Sequence, residues 1–271
     1  MSIANRVHIT KRTGASGGAQ LASRLAAIVV ALAASGLVML FMGYHPLEIF
    51  GKIITSSLST YSRFGETMNK TILLTMLSLG ISVAFRMKFW NIGAEGQFYM
   101  GAFGAALIAF GFPDLPAWLL LPLIPALIKA KFTTSETLVT LMMNYIAISF
   151  ISYLQYGPWK DPESLGAAKI ARFSDNAILP KVFGIHAGWI IMLALVVVMT
   201  ILLKYTKLGY QIDVLGESET TARYAGMNTL KIMIIAVLLS GGLCGVAGFM
   251  QASAVEKSIT DQMSGGLGFT A

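Results

Sequence analysis

Phe89-Trp90-Asn91-Ile92-Gly93-Ala94-Glu95-Gly96-Gln97 gathers two glycines, an acid and two amides where two apolar runs meet, 68–86 and 93–112. Each run is long enough for about 30 Å of hydrocarbon at about 1.5 Å per residue. Glycine lets the backbone leave helical geometry or approach another helix closely. At membrane depth such backbone survives only where protein buries it or where it lines a wet cavity. An acid there is a functional candidate by default. An interfacial turn in which Glu95 and Gln97 cap a helix accounts for the same residues, and their chemistry alone leaves both readings open.

Outward from this stretch the pattern repeats. Apolar segments fall at 22–43, 68–86, 93–112, 117–129, 135–156, 188–204 and 230–252. The expected fold is therefore all-α, a polytopic integral membrane protein of about seven transmembrane segments. A cytoplasmic N-terminal segment, 1–21, precedes a single transmembrane domain, 22–271. Segment 117–129 would cover only about 20 Å. Residues 46–64 start at Pro46 and carry Ile49, Phe50, Ile53, Ile54 and Leu58 at helical spacing. They fit an amphipathic helix on the outer membrane surface or an ordered loop equally well.

Composition agrees. The chain is 55% hydrophobic and 12% charged, about half the charge of a soluble domain, with a mean hydropathy of +0.70. The net charge is +7. No basic stripe interleaves with aromatics, so the excess reads as positive-inside bias, with no nucleic-acid partner. Arg6, Lys11, Arg12 and Arg24 precede the first span and put the N-terminus inside. Counting onward puts Arg86 and Lys88, Lys129 and Lys131, and the Lys204–Lys231 group inside, provided that 117–129 belongs to a crossing. The run from Leu21 to Gly43 is too long for a signal peptide and lacks a cleavage site. The one cysteine, Cys244, excludes an internal disulfide and reads as a packed small side chain. His8, His45 and His186 show no metal-ligand spacing.

Three further motifs stand out. In Glu136-Thr-Leu-Val-Thr-Leu-Met-Met-Asn144-Tyr145, the residues Thr137, Thr140 and Asn144 share a helix face. Packing suits the threonines, while Asn144 fits a pathway or an interhelical bond equally. The loop 209–230 contains Gly216-Glu217-Ser218-Glu219-Thr220-Thr221-Ala222-Arg223-Tyr224-Ala225-Gly226-Met227-Asn228. It is helix-capable from Ser218 to Ala225, with Gly226 at a C-cap position. A short exposed helix between two spans suits a soluble partner, and a plain solvated loop is the bland reading. Gly241, Gly245 and Gly248 make a small-residue stripe that signals helix packing. No G-x-x-x-x-G-K-[ST] or H-E-x-x-H occurs, and no catalytic residue or metal is expected.

Phe89–Gln97, Glu136–Tyr145, Gly216–Asn228 and Ser240–Gln251, in this order, resemble the permeases of ABC importers for nucleosides and simple sugars, the nucleoside branch most of all. These are related to ribose and branched-chain amino-acid permeases. The resemblance runs from about residue 20 to the end. It implies a non-enzymatic transport subunit of the bacterial cytoplasmic membrane, binding no cofactor itself. ATP would be used by a separate cytoplasmic ATPase, alongside a second permease and an extracellular substrate-binding lipoprotein. It further implies that Gly216, Glu217, Ala222, Gly226 and Asn228 belong to the ATPase-coupling loop, and that the Asn91–Gln97 break lies near the translocation path. Asn91, Glu95, Gln97 and Asn144 are the pathway candidates. The family's fourth helix is longer than 117–129 and the family continues past Ala271. The chain is thus expected to be C-terminally incomplete, to insert but to assemble poorly. A secondary transporter is the alternative, and beyond Glu95 the spans carry almost none of the ionisable groups that ion coupling needs. Purine nucleoside, pyrimidine nucleoside and pentose all remain open as substrate.

Overall fold

The computed structural model describes residues 17–111, 136–162, 164 and 168–271. Its helices are α1 (Gly17–Phe41), α2 (Pro46–Leu58), α3 (Tyr61–Arg86), α4 (Ala94–Gly111), α5 (Glu136–Tyr156), α6 (Gly188–Tyr205), α7 (Lys207–Glu217), α8 (Glu219–Tyr224), α9 (Thr229–Met250) and the single turn α10 (Leu267–Thr270). A hairpin of β1 (Lys181–Val182) and β2 (Ile185–His186) precedes α6, with Lys181 opposite His186. Its two-residue turn places Phe183 and Gly184 at positive φ, as a tight primed turn requires.

The described residues divide into two compact units, one up to Phe64 and the other from Gly65 onward. In the first, α1 presents Leu21, Leu25, Val29 and Leu32 outward along its length, the surface of a helix that meets lipid. Of the two readings of 46–64, a helix is what forms. Pro46 occupies its first turn, where the missing N–H costs nothing, and none of its residues is buried. The helix stops at Leu58, and α3 starts at Tyr61, a turn or two before the sequence suggests.

The second unit is built around α4, which lies against α9 on one side and α5 on the other. Phe98, Tyr99, Ala102 and Ala106 of α4 are buried with Ile151 of α5 and with Leu243, Cys244, Ala247 and Met250 of α9. Lipid tails are as apolar as leucine, so van der Waals contact between closely approaching backbones holds such helices together. Gly101 stands against the Gly245 backbone, Gly248 against the Phe98 carbonyl, and Gly80 of α3 against Cys244 and the Ser240 carbonyl.

Among the described residues, four helices are long and apolar enough to cross a membrane: Leu21–Phe41, Tyr61–Arg86, Gly188–Tyr205 and Thr229–Glu256. The chain is thus an all-α polytopic membrane protein, and these four match the expected segments 22–43, 68–86, 188–204 and 230–252. Helices do form at 94–111 and 136–156. The first of these opens with Glu95 and Gln97, which lower its apolarity. Segment 117–129 lies outside the described residues, and with it the parity on which the inside and outside of the later loops depended.

Candidate functional site

The polar stretch after α3 is a real break between helices. Lys88 takes positive φ, the chain turns through Phe89–Gly93, and α4 restarts at Ala94. Asn91, 2% exposed, organises the turn. Its carboxamide oxygen accepts from the Gly93 N–H at 3.0 Å, and its nitrogen donates to Gln97 Oε1 at 3.1 Å and to Ser240 Oγ of α9 at 3.0 Å. Asn144, fully buried on α5, closes the other side. It donates to the Ile92 carbonyl at 2.8 Å and accepts from the Gly96 N–H at 2.7 Å. One side chain thereby satisfies a carbonyl of the turn and an orphan donor of the α4 N-terminus. Gly96 makes room for it, since a Cβ there would come within 2.9 Å of the Asn144 Cα.

Glu95, 2% exposed, belongs to a second cluster. It does not cap its own helix. Its Oε2 accepts from the Gly268 N–H at 2.7 Å, and its Oε1 accepts from the Ser264 hydroxyl. One turn along α4, the Tyr99 hydroxyl donates to the Asp261 carbonyl at 2.6 Å. From α5, Ser152 donates to the Asp261 carboxylate at 3.0 Å, and Gln155 Oε1 accepts from the Asp261 N–H at 3.0 Å. The four pathway candidates thus divide. Asn91, Gln97 and Asn144 knit the helix break to α5 and α9, while Glu95 holds the stretch that follows α9. Tyr99, Ser152, Gln155, Asp261 and Ser264 are participants that the sequence reading missed. Two signals could have found the first three: Tyr99 is four residues from Glu95, and Ser152 and Gln155 continue the Asn144 face at i+8 and i+11.

The 205–229 connection is two helices. Ser218 ends α7 and caps α8, its hydroxyl accepting from the Thr221 N–H at 3.2 Å. Gly216 is buried against the Arg86 carbonyl, where a Cβ would have no room. Beside it Arg86 forks onto both oxygens of Asp213, at 3.2 and 3.3 Å. Ala222 is the buried face of α8, whereas Glu217 is exposed and Tyr224 is 94% exposed. Gly226 at φ +74° closes α8: Met227 N–H bonds the Ala222 carbonyl and Gly226 N–H the Arg223 carbonyl, a Schellman end. Asn228 caps α9, accepting from the Lys231 N–H at 3.0 Å. In α9, Gly241 faces the Gln97 side chain, Gly245 faces Gly101, and Gly248 faces the Phe98 carbonyl.

His186 lies outside the helices, at the end of the hairpin, 3% exposed. Burial lowers its pKa from the usual imidazole range. Its Nδ1 accepts from the Gly188 N–H at 3.1 Å, so the neutral ring carries its proton on Nε2.

A polytopic helical protein with buried, hydrogen-bonded helix breaks and a capped exposed helix between two of its spans has the build of a membrane transport subunit. The chain belongs to the family of permease components of branched-chain amino acid transport systems, whose model matches residues 64–271. It is similar to the glucose ABC transporter permease TsgB13 of Haloferax volcanii, 27% identical over 90% of this chain and 71% of the relative. It is also similar to the guanosine ABC transporter permease NupP of Bacillus subtilis, 29% identical over 84% of this chain and 70% of the relative. The nucleoside ABC transporter permease NupB of Lactococcus lactis is 27% identical over 88% of this chain and 72% of the relative. No solved structure matches. The chain is accordingly a permease subunit of an ABC transporter, a multi-pass protein of the bacterial cytoplasmic membrane and not itself an enzyme.

Proposed function

We propose that this subunit forms part of the translocation pathway for a nucleoside or simple sugar, in an importer whose ATP is hydrolysed by a separate cytoplasmic subunit. One observation carries the reading most: α8, a short helix capped at both ends, offers Tyr224 outward between two spans. A helix so placed is suited to sit in an ATPase, and the relatives' printed names supply the substrate class. The remaining partners are a second permease and an extracellular substrate-binding lipoprotein. Asn91, Glu95, Gln97 and Asn144, with the groups bonded to them, are the pathway's polar neighbourhood, since sugar hydroxyls exchange hydrogen bonds with amides and carboxylates.

The orientation belongs to the same proposal: an inside N-terminus, about seven crossings, and the 205–229 connection inside. Uptake in vesicles containing ATPase, second permease and lipoprotein, with ATP and with or without an ion gradient, tests the function. Uptake that follows the gradient and ignores ATP refutes it. Labelling of Ser218→Cys by an impermeant reagent from outside intact cells should fail, and efficient labelling inverts the topology.

A further inference from the structure

The helix α5 has 21 residues, a length of about 32 Å that is enough to cross a bilayer. It is nevertheless not one of the four helices apolar enough to do so among the described residues. Its polar residues fall on two sides. Asn144 and Gln155 are buried and bonded within the protein. The outward side carries Tyr145, Ser149, Tyr153 and Tyr156, with the three tyrosines 63%, 64% and 67% exposed. At about 100° per residue, Tyr145, Ser149, Ser152 and Tyr156 lie within about 60° of one another. Ser152, at the inner edge of this strip, bonds the Asp261 carboxylate. Met143, Ile146 and Phe150 take the other half of the outward side.

Other spanning helices meet lipid differently. Leu193, Val197 and Ile201 of α6 point outward, and its exposed Thr200 bonds back to the Val196 carbonyl at 2.7 Å. Thr71 of α3 bonds back to the Thr67 carbonyl at 2.8 Å. A threonine can satisfy its hydroxyl on its own helix in this way, whereas a phenol stands too far from its own backbone. The hydroxyls of Tyr145, Ser149, Tyr153 and Tyr156 have no partner among the described residues. An unpaired hydroxyl in hydrocarbon is costly. Tyrosines favour the two membrane–water interfaces, which accounts for Tyr156 at the helix end. Tyr145 does not fit that account. It lies about 14 Å from one end of α5 and about 16 Å from the other, near the middle of the crossing. A hydroxyl there needs a partner that lipid cannot supply.

We propose that the Tyr145–Ser149–Tyr156 strip of α5, edged by Ser152 and Asp261, is a wet wall of the translocation path, and that its tyrosines touch a nucleoside as it passes. The inference rests on the permease reading and deepens it. Aromatic faces stack on a nucleobase, and phenols exchange hydrogen bonds with ribose hydroxyls, so one strip serves both halves of such a solute. Asn144, bonded to the helix break, braces the wall from behind.

The test uses the assembled transporter in vesicles, with ATPase, second permease and lipoprotein. Tyr145→Cys and Ser149→Cys on the strip are compared with Ile146→Cys and Phe150→Cys on the apolar half, each member of a pair standing in for the other should one fail to assemble. Wild type, whose Cys244 is buried, is the blank. A charged thiol reagent should label the first pair at least tenfold faster than the second, and uridine with inosine should slow that labelling threefold or more. Equal rates in the two pairs, or no labelling of the first, overturn the proposal, because lipid or the second permease then covers the strip. Labelling that uridine and inosine leave unchanged, in a complex that takes them up, overturns the solute contact. A wild-type complex that takes up neither counts against the proposed function, while the labelling ratio still decides whether the strip is wet.

Discussion

Gly101→Ala should destabilise the protein while Gly245→Ala, at the same crossing of α4 and α9, should not. A Cβ on Gly101 would overlap the Cα, C and O atoms of Gly245, all backbone and unable to turn aside. Carbon atoms need about 3.5–4.0 Å, so the helices must part by roughly 1–1.5 Å. The Asn91–Ser240 bond, now 3.0 Å, joins the α4 entry to α9 across the same interface and would stretch beyond useful length. Overpacking costs about 1–3 kcal/mol and the lost bond about 1 kcal/mol, against a gain of roughly 0.5–1 kcal/mol for alanine over glycine in a helix. The net loss is about 1–3 kcal/mol, a fall in Tm of about 2–5 °C for a chain of this size. From the other side a Cβ on Gly245 meets nothing nearer than the Gly101 Cα at 3.7 Å, an ordinary contact. That variant should match or slightly exceed wild type. Thermal unfolding of the purified protein in detergent, followed by size-exclusion chromatography, measures both. Equal Tm losses in the two variants, or none in Gly101→Ala, would show that the helices do not meet as described.

Glu95→Ala strands the Gly268 N–H in a buried site, at about 1–3 kcal/mol for the group left unpaired, and leaves the Ser264 hydroxyl with only Tyr99 and the Gly266 N–H as partners. It should reduce uptake more than it reduces the amount of assembled complex, and equal losses in both would make Glu95 a purely structural group. Gly226→Pro replaces a residue at φ +74° with one locked near −65°, and Glu217→Arg reverses an exposed charge beside α8. Both should abolish substrate-stimulated ATP hydrolysis with membrane insertion intact, and normal stimulation in both would reduce the loop to a connector. His186 binds protons more weakly in the fold than in the unfolded chain, so its contribution is present above the ordinary imidazole pKa and fades as pH falls through the lowered one. Tm should therefore drop more between pH 7.5 and pH 5 in wild type than in His186→Gln, and parallel curves would remove His186 as the cause.

How much of this was legible in the sequence differs from place to place. Apolar runs of spanning length located α1, α6 and α9 to within a few residues, because lipid demands uninterrupted apolarity and the sequence records it. Gly226 was legible as a helix end because few residues other than glycine adopt its backbone angle cheaply. The helix α7 was not, since the buried face of Lys207–Glu217, formed by Gly209, Ile212, Leu215 and Gly216, spans only three turns and half of it is glycine, and the helix is anchored where Arg86 and Gly216 pack against the end of α3. Glu95 could be singled out, but its partners could not. Ser264 and Gly268 lie more than 160 residues away in the chain, and no local pattern encodes that meeting.

The seat of Gly216 on the Arg86 carbonyl has a mechanical consequence. The eleven-residue helix α7 is a stiff rod about 16 Å long. At one end it is pinned beside α8 by that seat and by the Asp213 fork. At the other, Thr206 donates to the Leu202 carbonyl of α6 at 2.6 Å and accepts from the Gly209 N–H at 3.3 Å, coupling the rod to the foot of α6. Gly209 is seated on the Leu202 and Leu203 carbonyls as Gly216 is on that of Arg86, so the rod is clamped at both ends, and a push on α8 is carried through it to the end of α3 and the foot of α6 together.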